Sequence, residues 1–146
     1  AKGNEGLMKS FVNNTDGKAY ASGITALEVE DLIKLRRNYP EGIVPNDGLV
    51  LTAGVDVQDN RFAIVIRAWG RRDCSWLVKW TEIFGKVTLQ EMSEDTNTFK
   101  GVWGELTQML LLNPIPHASG KDMYISAISI DSADNTELVY NWVLYA

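Results

Sequence analysis

The chain has 146 residues, of which 45% are hydrophobic and 23% are charged, enough for one domain with a hydrophobic core. Its net charge of −5 argues against a free-standing, non-specific nucleic-acid binder, but it does not exclude a nuclease with an acidic metal centre. No apolar stretch reaches the roughly 18 residues of a membrane span, and Cys74 is the single cysteine. These features exclude an internal disulfide and a cysteine zinc cluster, and they predict a protein of a reducing cytosol without a membrane partner.

The N-terminal part is predicted to be a linker followed by one helix. Residues 1–24 are rich in Gly, Asn, Ser and Lys, which is typical of an extended arm. Thr25 and Glu28 form a capping-box pattern. The helix that it opens is predicted to run to about Arg37 and to end before Pro40.

Three strands are predicted next. Leu49 to Gln58 is nearly continuous apolar, which favours a central strand covered on both faces. Asp59-Asn60 is a tight-turn signal, after which Arg61 to Trp69 returns antiparallel. Trp76 to Phe84 makes the third strand of this meander.

A crossover is predicted to follow the meander. Apolar residues recur at helical spacing from Phe99 to Leu110, and the strand-like run Tyr124 to Ile130 comes after them. A second helix is predicted around Leu138 to Val143. A crossover helix makes the fourth strand parallel to an earlier one, most plausibly the first. The sequence therefore predicts an α/β fold with a mixed sheet and flanking helices.

Two aspartates close the apolar runs of the first and fourth predicted strands. Asp56 and Asp131 follow apolar runs that contain no Lys or Arg, and a buried bare carboxylate is usually protonated, paired or bound to a metal. If the two strands are adjacent and parallel, the side chains meet at one sheet edge. Mg²⁺ or Mn²⁺ suits such oxygen ligands, and two ions together can cleave a phosphodiester. Asp59 and Asp134 are placed to extend the site.

Each acidic residue also has an ordinary structural alternative. Asp56 suits a turn in which its carboxylate accepts backbone amides, and Asp131 suits the N-cap of the next helix. Asp59 is equally compatible with a plain hairpin residue. Asp134 is compatible with an acid in the first turn of a helix.

The other chemistry-bearing residues point less specifically. Arg61, Arg71 and Arg72 are candidate DNA contacts, with solvated hairpin charges as the alternative. His117 is the single histidine and lies between prolines and a Ser-Gly turn, which argues against a hydrolytic triad. The five tryptophans lie on predicted strand and helix faces, where packing is the expected role and base stacking the alternative.

Several segments resemble the nuclease domain of the phage terminase large subunits of the lambda-like GpA family. The most specific is LTAGVDVQDNR, from Leu51 to Arg61, and the likeness extends from about Phe11 to Tyr140. The supporting segments are Trp69-Gly70, Ser75 to Val78, Ile130 to Thr136 with Val139-Tyr140, and Phe11 to Asn13 with Gly17 and Tyr20.

The resemblance implies an RNase H-like fold and a metal-dependent endonuclease that cuts concatemeric double-stranded DNA in the bacterial cytoplasm. By position, Asp56 and Asp131 would be the metal ligands, and a further acidic ligand would lie beyond Ala146, so that the domain is truncated at its C-terminus. Residues 1–45 would connect to an ATPase domain that is absent here, and residues 46–146 would form the partial nuclease domain. The implied partners of the full-length protein are the terminase small subunit and the portal or prohead, and an isolated nuclease domain suggests a prophage origin.

Two other functions are compatible with parts of the sequence. A non-catalytic remnant of the same fold would serve as a docking or DNA-binding module, which the missing downstream acid motivates. An actin-like or sugar-kinase ATPase would need Gly and Ser or Thr after the first aspartate to hold phosphate, whereas Val57 and Gln58 follow Asp56.

Overall fold

The computed structural model describes residues 29–34, 36–133 and 135–146, and the chain divides into two units, Ala1–Asn38 and Tyr39–Ala146. In the first unit, helix α1 spans Val29–Lys34 within the predicted helix. Thr25 and Glu28, the predicted capping box, lie outside the described residues. Residues 39–45, which the predicted domain division assigns to the N-terminal part, belong to the second unit.

The second unit contains the predicted strands and helices together with a short two-stranded ribbon that was not predicted. In chain order its elements are β1 (Val50–Gln58), β2 (Arg61–Trp69), β3 (Ser75–Phe84), α2 (Gly101–Thr107), a π-helical turn (Gln108–Leu112), β4 (Ile115–Pro116), β5 (Asp122–Met123), β6 (Ile125–Ile130) and α3 (Thr136–Tyr145). None of the described helices is long and apolar enough to cross a membrane.

The main sheet has the predicted topology. Its strand order is β3-β2-β1-β6, with β1–β2 and β2–β3 antiparallel and β1–β6 parallel. The crossover through α2 therefore returns the chain beside its first strand and parallel to it. The mixed α/β class, the antiparallel meander and the parallel fourth strand are all confirmed.

The core lies on one face of this sheet. Alternate residues of β1 and β2 are buried there because successive strand side chains point to opposite faces. Trp103 of α2 is fully buried, and its ring meets Phe62 edge-on at a centroid distance of 4.8 Å. Trp142 of α3 lies 6.4 Å from Trp103. Both helices therefore cover the same face. The buried strand residues are Leu51, Ala53, Val55, Phe62, Ile64, Ile66, Ala68, Val78 and Ile83.

The opposite face is exposed, and the expectation that β1 is covered on both faces is wrong for the part of the chain that the structure describes. The side chains of Trp69, Trp80 and Phe84 remain 41%, 58% and 64% exposed. The apolar run of β1 therefore does not come from burial on both faces. Its core-facing residues are apolar, and Thr52 and Gly54 face outward between them. We call this surface the open sheet face.

Candidate active site at the carboxyl ends of β1 and β6

The parallel pairing of β1 with β6 brings Asp56 and Asp131 to the same sheet edge. Val55 is in register with Ile130, and the backbone N–H of Asp131 donates to the carbonyl oxygen of Val55 at 2.9 Å. The two aspartates follow this registered pair and line one cavity of about 680 Å³. The predicted convergence of the two strand ends is therefore present in the fold.

Local hydrogen bonds orient both carboxylates. The Gln58 Nε2 donates to Asp56 Oδ2 at 2.8 Å, and the Ala133 N–H donates to Asp131 Oδ1 at 3.1 Å. The second bond makes Asp131 a turn residue rather than a helix cap, since Asn135 occupies the N-cap position of α3. Asp56 is held by a side-chain amide and not by the backbone amides of its structural alternative. In each carboxylate, one of the two oxygens accepts this hydrogen bond.

Both carboxylates are exposed, so the desolvation argument for a metal does not hold. Asp56 and Asp131 are classed as exposed, and no charged side chain is buried in the described ranges. Water screens and solvates such groups without a cation. Their position still favours a cation, because the two acids share a cavity whose lining includes no Lys or Arg.

The cavity is a shallow trough in the open sheet face. One row across the sheet runs from Trp80 through Val65 and Gly54 to Ser129, and the next row contains Asp56 opposite Ala63. Gly54, Ala63 and Ser129 have small side chains, so they form a low floor, and the exposed indole of Trp80 stands at one side. We call this cavity the sheet trough.

Sequence reasoning missed the floor residues of the sheet trough. In the sequence, Gly54 and Ala63 look like ordinary strand residues. The β1–β2 register would have identified them, because it places both on the outward face beside Asp56. Trp80 was expected to pack, and the structure instead exposes it next to the two acids. The face of the sheet on which Trp80 lies could not be predicted by alternation along β3, because the strand register shifts opposite Ile66 and Arg67.

The two additional acids are not brought into the trough by the described structure. Asp59 is exposed in the turn between β1 and β2, where its carbonyl oxygen accepts a hydrogen bond from the Val87 N–H at 3.1 Å. Asp134 lies outside the described residues. Within those residues, no group of three or more His, Cys, Asp or Glu is placed to hold a metal ion. The acidic set observed at the strand ends is therefore the pair.

The three candidate DNA-binding arginines lie at opposite ends of the sheet. Arg61 of β2 lies opposite Gln58 in the strand register, at the carboxyl end of β1. Its Nε is 3.2 Å from Glu82 Oε1, which is an ion pair without hydrogen-bond geometry. Its guanidinium lies 6.0 Å from the Phe84 ring centroid. Arg71 and Arg72 occupy the turn after β2, beside the start of β1. Six residues of extended strand separate that end from Asp56, which is about 20 Å.

The remaining chemistry-bearing side chains have local roles. His117 Nδ1 is hydrogen-bonded to the hydroxyl and the backbone N–H of Ser119, and Cys74 is exposed in the β2–β3 turn. A second cavity of about 770 Å³ lies between α2, the π-helical turn and residues 113–116. It is lined by none of the predicted site residues, so it is separate from the acidic pair.

Comparisons with known proteins agree with the resemblance carried by the β1 segment. The family model described as "Terminase large subunit gpA, endonuclease domain" matches residues 1–145. The chain is 32% identical over 85 residues to the "Terminase, large subunit" of Escherichia phage lambda, and this match covers 58% of the chain but 13% of that relative. No solved structure matches significantly. The chain belongs to the family of terminase large subunit gpA endonuclease domains.

Proposed function

We propose that this domain is a metal-dependent endonuclease that cuts concatemeric double-stranded DNA during phage genome packaging. Membership of a family of terminase endonuclease domains supports a packaging-related nuclease role. The observation that carries the assignment of a site is that Asp56 and Asp131 line one trough at the ends of adjacent parallel strands. Ligand sites of open α/β sheets lie at this edge.

The donor set fits Mg²⁺ or Mn²⁺. Both ions prefer hard oxygen ligands, and Mg²⁺ usually keeps several waters and is held by one or two carboxylates together with substrate phosphates. Asp56 and Asp131 supply two such carboxylates, each with a single recorded hydrogen bond from a neighbouring group. Exposure suits an ion that retains waters. Bound there, a pair of these ions would activate a water and stabilise the leaving oxygen of the phosphodiester.

The protein's own groups would position the ions and the phosphate. The Gln58 amide fixes one oxygen of Asp56, and the Ala133 N–H fixes one oxygen of Asp131, so the other oxygen of each carboxylate is left for a ligand. Asp59 and Asp134 remain proposals as additional ligands, and Arg61, Arg71 and Arg72 remain proposals as DNA contacts. Of these arginines, Arg61 lies at the end of the sheet that carries Asp56.

Plasmid nicking in Mn²⁺ tests the assignment. Asp56→Asn keeps the side-chain shape and an acceptor for Gln58 but removes the charge, so we expect nicking to fall by about 100-fold or more, as the loss of several kcal/mol of metal stabilisation requires. Asp122→Asn is the matched control, because it removes the same charge at an exposed position in β5, outside the trough lining. Its rate should stay within a few-fold of the unmodified protein. Equal cutting by the unmodified protein and Asp56→Asn would refute the role of Asp56.

A second candidate function is a non-catalytic docking or DNA-binding module on the same fold. It is favoured by one observation, that the described residues contain no acidic group of three around the strand ends. Calorimetric titration distinguishes the two functions. Heat of Mn²⁺ binding that disappears in both Asp56→Asn and Asp131→Asn supports the nuclease, whereas no binding at millimolar Mn²⁺ supports docking.

The partners of the full-length protein are inferred from the proposed packaging role alone. A terminase subunit in an infected cell would meet its DNA in the bacterial cytoplasm, together with the terminase small subunit and the portal or prohead. The match spans 13% of the length of the lambda relative, so these partners are proposed for a full-length protein and not for this domain alone.

A further inference from the structure

We infer that the sheet trough holds one unpaired nucleotide of a DNA strand, with its base stacked on Trp80 and its phosphate at Asp56 and Asp131. The inference rests on the proposed nuclease function and goes beyond it by naming a positioning residue and the substrate group that it contacts. It follows from the distribution of charge, shape and aromatic surface in the trough.

Charge fixes which part of a nucleotide can lie where. The two carboxylates stand at one end of the trough, and its remaining lining carries no charged side chain. A phosphate on that lining would have no cation to balance it and would lie beside two carboxylates. At the carboxylates themselves, divalent cations would balance it. The uncharged part of the trough is therefore suited to the base or the deoxyribose.

The shape of the trough fits a flat ring. Its volume of about 680 Å³ lies within the range of ordinary small-molecule sites. Gly54, Ala63 and Ser129 keep the floor low next to the acids, and the Trp80 side chain is 58% exposed at the side. An exposed indole beside a strand-end site offers a stacking surface for any base, since every base has a π-face.

A DNA strand fits this face better than a partner protein or a second copy of the chain. Trp69, Leu77 and Phe84 are also exposed on the open sheet face. Exposed apolar side chains by themselves would suit a protein partner as well as DNA, so the distribution of charge decides between the two. Two arginines of β2 lie on the same face, one on each side of the trough and about 20 Å apart along the strand. These are Arg61 and Arg67, whose guanidinium groups lie over the Phe84 and Trp69 rings. Cations flanking an acidic pair suit the phosphates of a strand that passes through that pair, and a phosphate at Arg61 would share the guanidinium with Glu82.

Two substitutions remove the proposed contact in opposite ways. Trp80→Ala deletes the stacking surface. Gly54→Val fills the floor, and it should be accommodated because a Cβ at Gly54 would come no closer than 3.5 Å, to Val65 Cγ1, and valine favours strands. Tyr145→Ala is the control, because it removes an exposed aromatic side chain from α3, which covers the opposite face of the sheet, outside the trough lining. Thermal unfolding of each variant checks that the fold is retained.

Binding and turnover are measured with a fluorescent single-stranded oligonucleotide and its duplex. Anisotropy in Ca²⁺, a hard cation for oxygen ligands, gives Kd, and nicking in Mn²⁺ gives KM and kcat. We expect Trp80→Ala and Gly54→Val to weaken single-strand binding by about 5- to 100-fold and to raise KM similarly, which is the range for loss of one stacked base. Trp80→Phe should restore most of the binding, Tyr145→Ala should leave it unchanged, and Mn²⁺ affinity should be unaltered throughout.

The possible failures are distinguishable. If Trp80→Ala and Gly54→Val bind the oligonucleotide as the unmodified protein does, the inference is overturned, even where Asp56→Asn abolishes nicking and the nuclease function stands. If nicking is independent of Asp56, the function fails, while anisotropy still reports whether DNA occupies the trough. A concentration-dependent dimer in sedimentation that Trp80→Ala dissociates would assign the face to a second copy and would also overturn the inference.

Discussion

Replacement of Trp103 by phenylalanine should cost far more stability than the same replacement at Trp80. Trp103 is fully buried, packs against the Phe62 ring and donates its indole N–H to the carbonyl oxygen of Val87 at 2.9 Å. Phenylalanine cannot donate, so the Val87 carbonyl is left unsatisfied at a cost of about 1–3 kcal/mol. The smaller ring adds a cavity cost of about 1 kcal/mol. We therefore expect Trp103→Phe to lower the free energy of unfolding by about 2–4 kcal/mol.

Trp80→Phe provides the control because it makes the same chemical change at a side chain that is 58% exposed. Surface substitutions usually change stability by less than about 0.5 kcal/mol. Urea unfolding followed by far-ultraviolet circular dichroism gives both values from midpoints at a common slope. Equal midpoints for the two variants would refute the conclusion that α2 anchors the core through Trp103. A changed slope for Trp103→Phe would indicate altered compactness and would require a calorimetric measurement instead.

Three further outcomes follow from the structure. Gly104→Ala should lower the free energy of unfolding by about 1–3 kcal/mol, because the Cβ of the new alanine would lie 2.4 Å from the Phe99 carbonyl oxygen. Gly54→Ala, the control, should change the free energy of unfolding by less than about 0.5 kcal/mol. Urea midpoints compare the two variants, and equal midpoints would contradict the close approach at Gly104. Thr107→Val should cost about 1–3 kcal/mol in the same assay, since it removes the acceptor of the Trp142 indole N–H, and an unchanged midpoint would mean that another group accepts this bond. Chelation with EDTA should abolish plasmid nicking and added Mg²⁺ or Mn²⁺ should restore it; cutting that persists in EDTA would argue against a metal-dependent reaction.

The fold was predictable because its sequence signals are local and agree with one another. Apolar runs of strand length, the Asp59-Asn60 turn and the helical spacing from Phe99 to Leu110 each limit the backbone over a few residues. A crossover connection makes the fourth strand parallel to an earlier one, most plausibly the first, and the β1–β6 pairing confirms this. The ribbon of β4 and β5 was not predicted, since strands of two residues carry no periodicity.

The site was predictable only in part. The sequence shows that Asp56 and Asp131 close apolar runs, and topology brings the carboxyl ends of β1 and β6 together. The exposure of these aspartates was not visible in the sequence, because the apolar neighbours of Asp56 in β1 point to the core face while Asp56 lies on the outward face. Strand residues alternate in direction, so an apolar flank does not bury the residue that follows it.

The sequence by itself determined the order and type of the main elements, the alternation that forms the core, and the location of the two acids at strand ends. The tertiary structure decided which face of the sheet the helices cover, and hence that Trp80 and the small floor residues lie beside Asp56 and Asp131 in one trough. The physical reason is that local dihedral preferences act within a few residues. The sharing of a cavity depends on strand register and helix packing between residues that are distant in the chain.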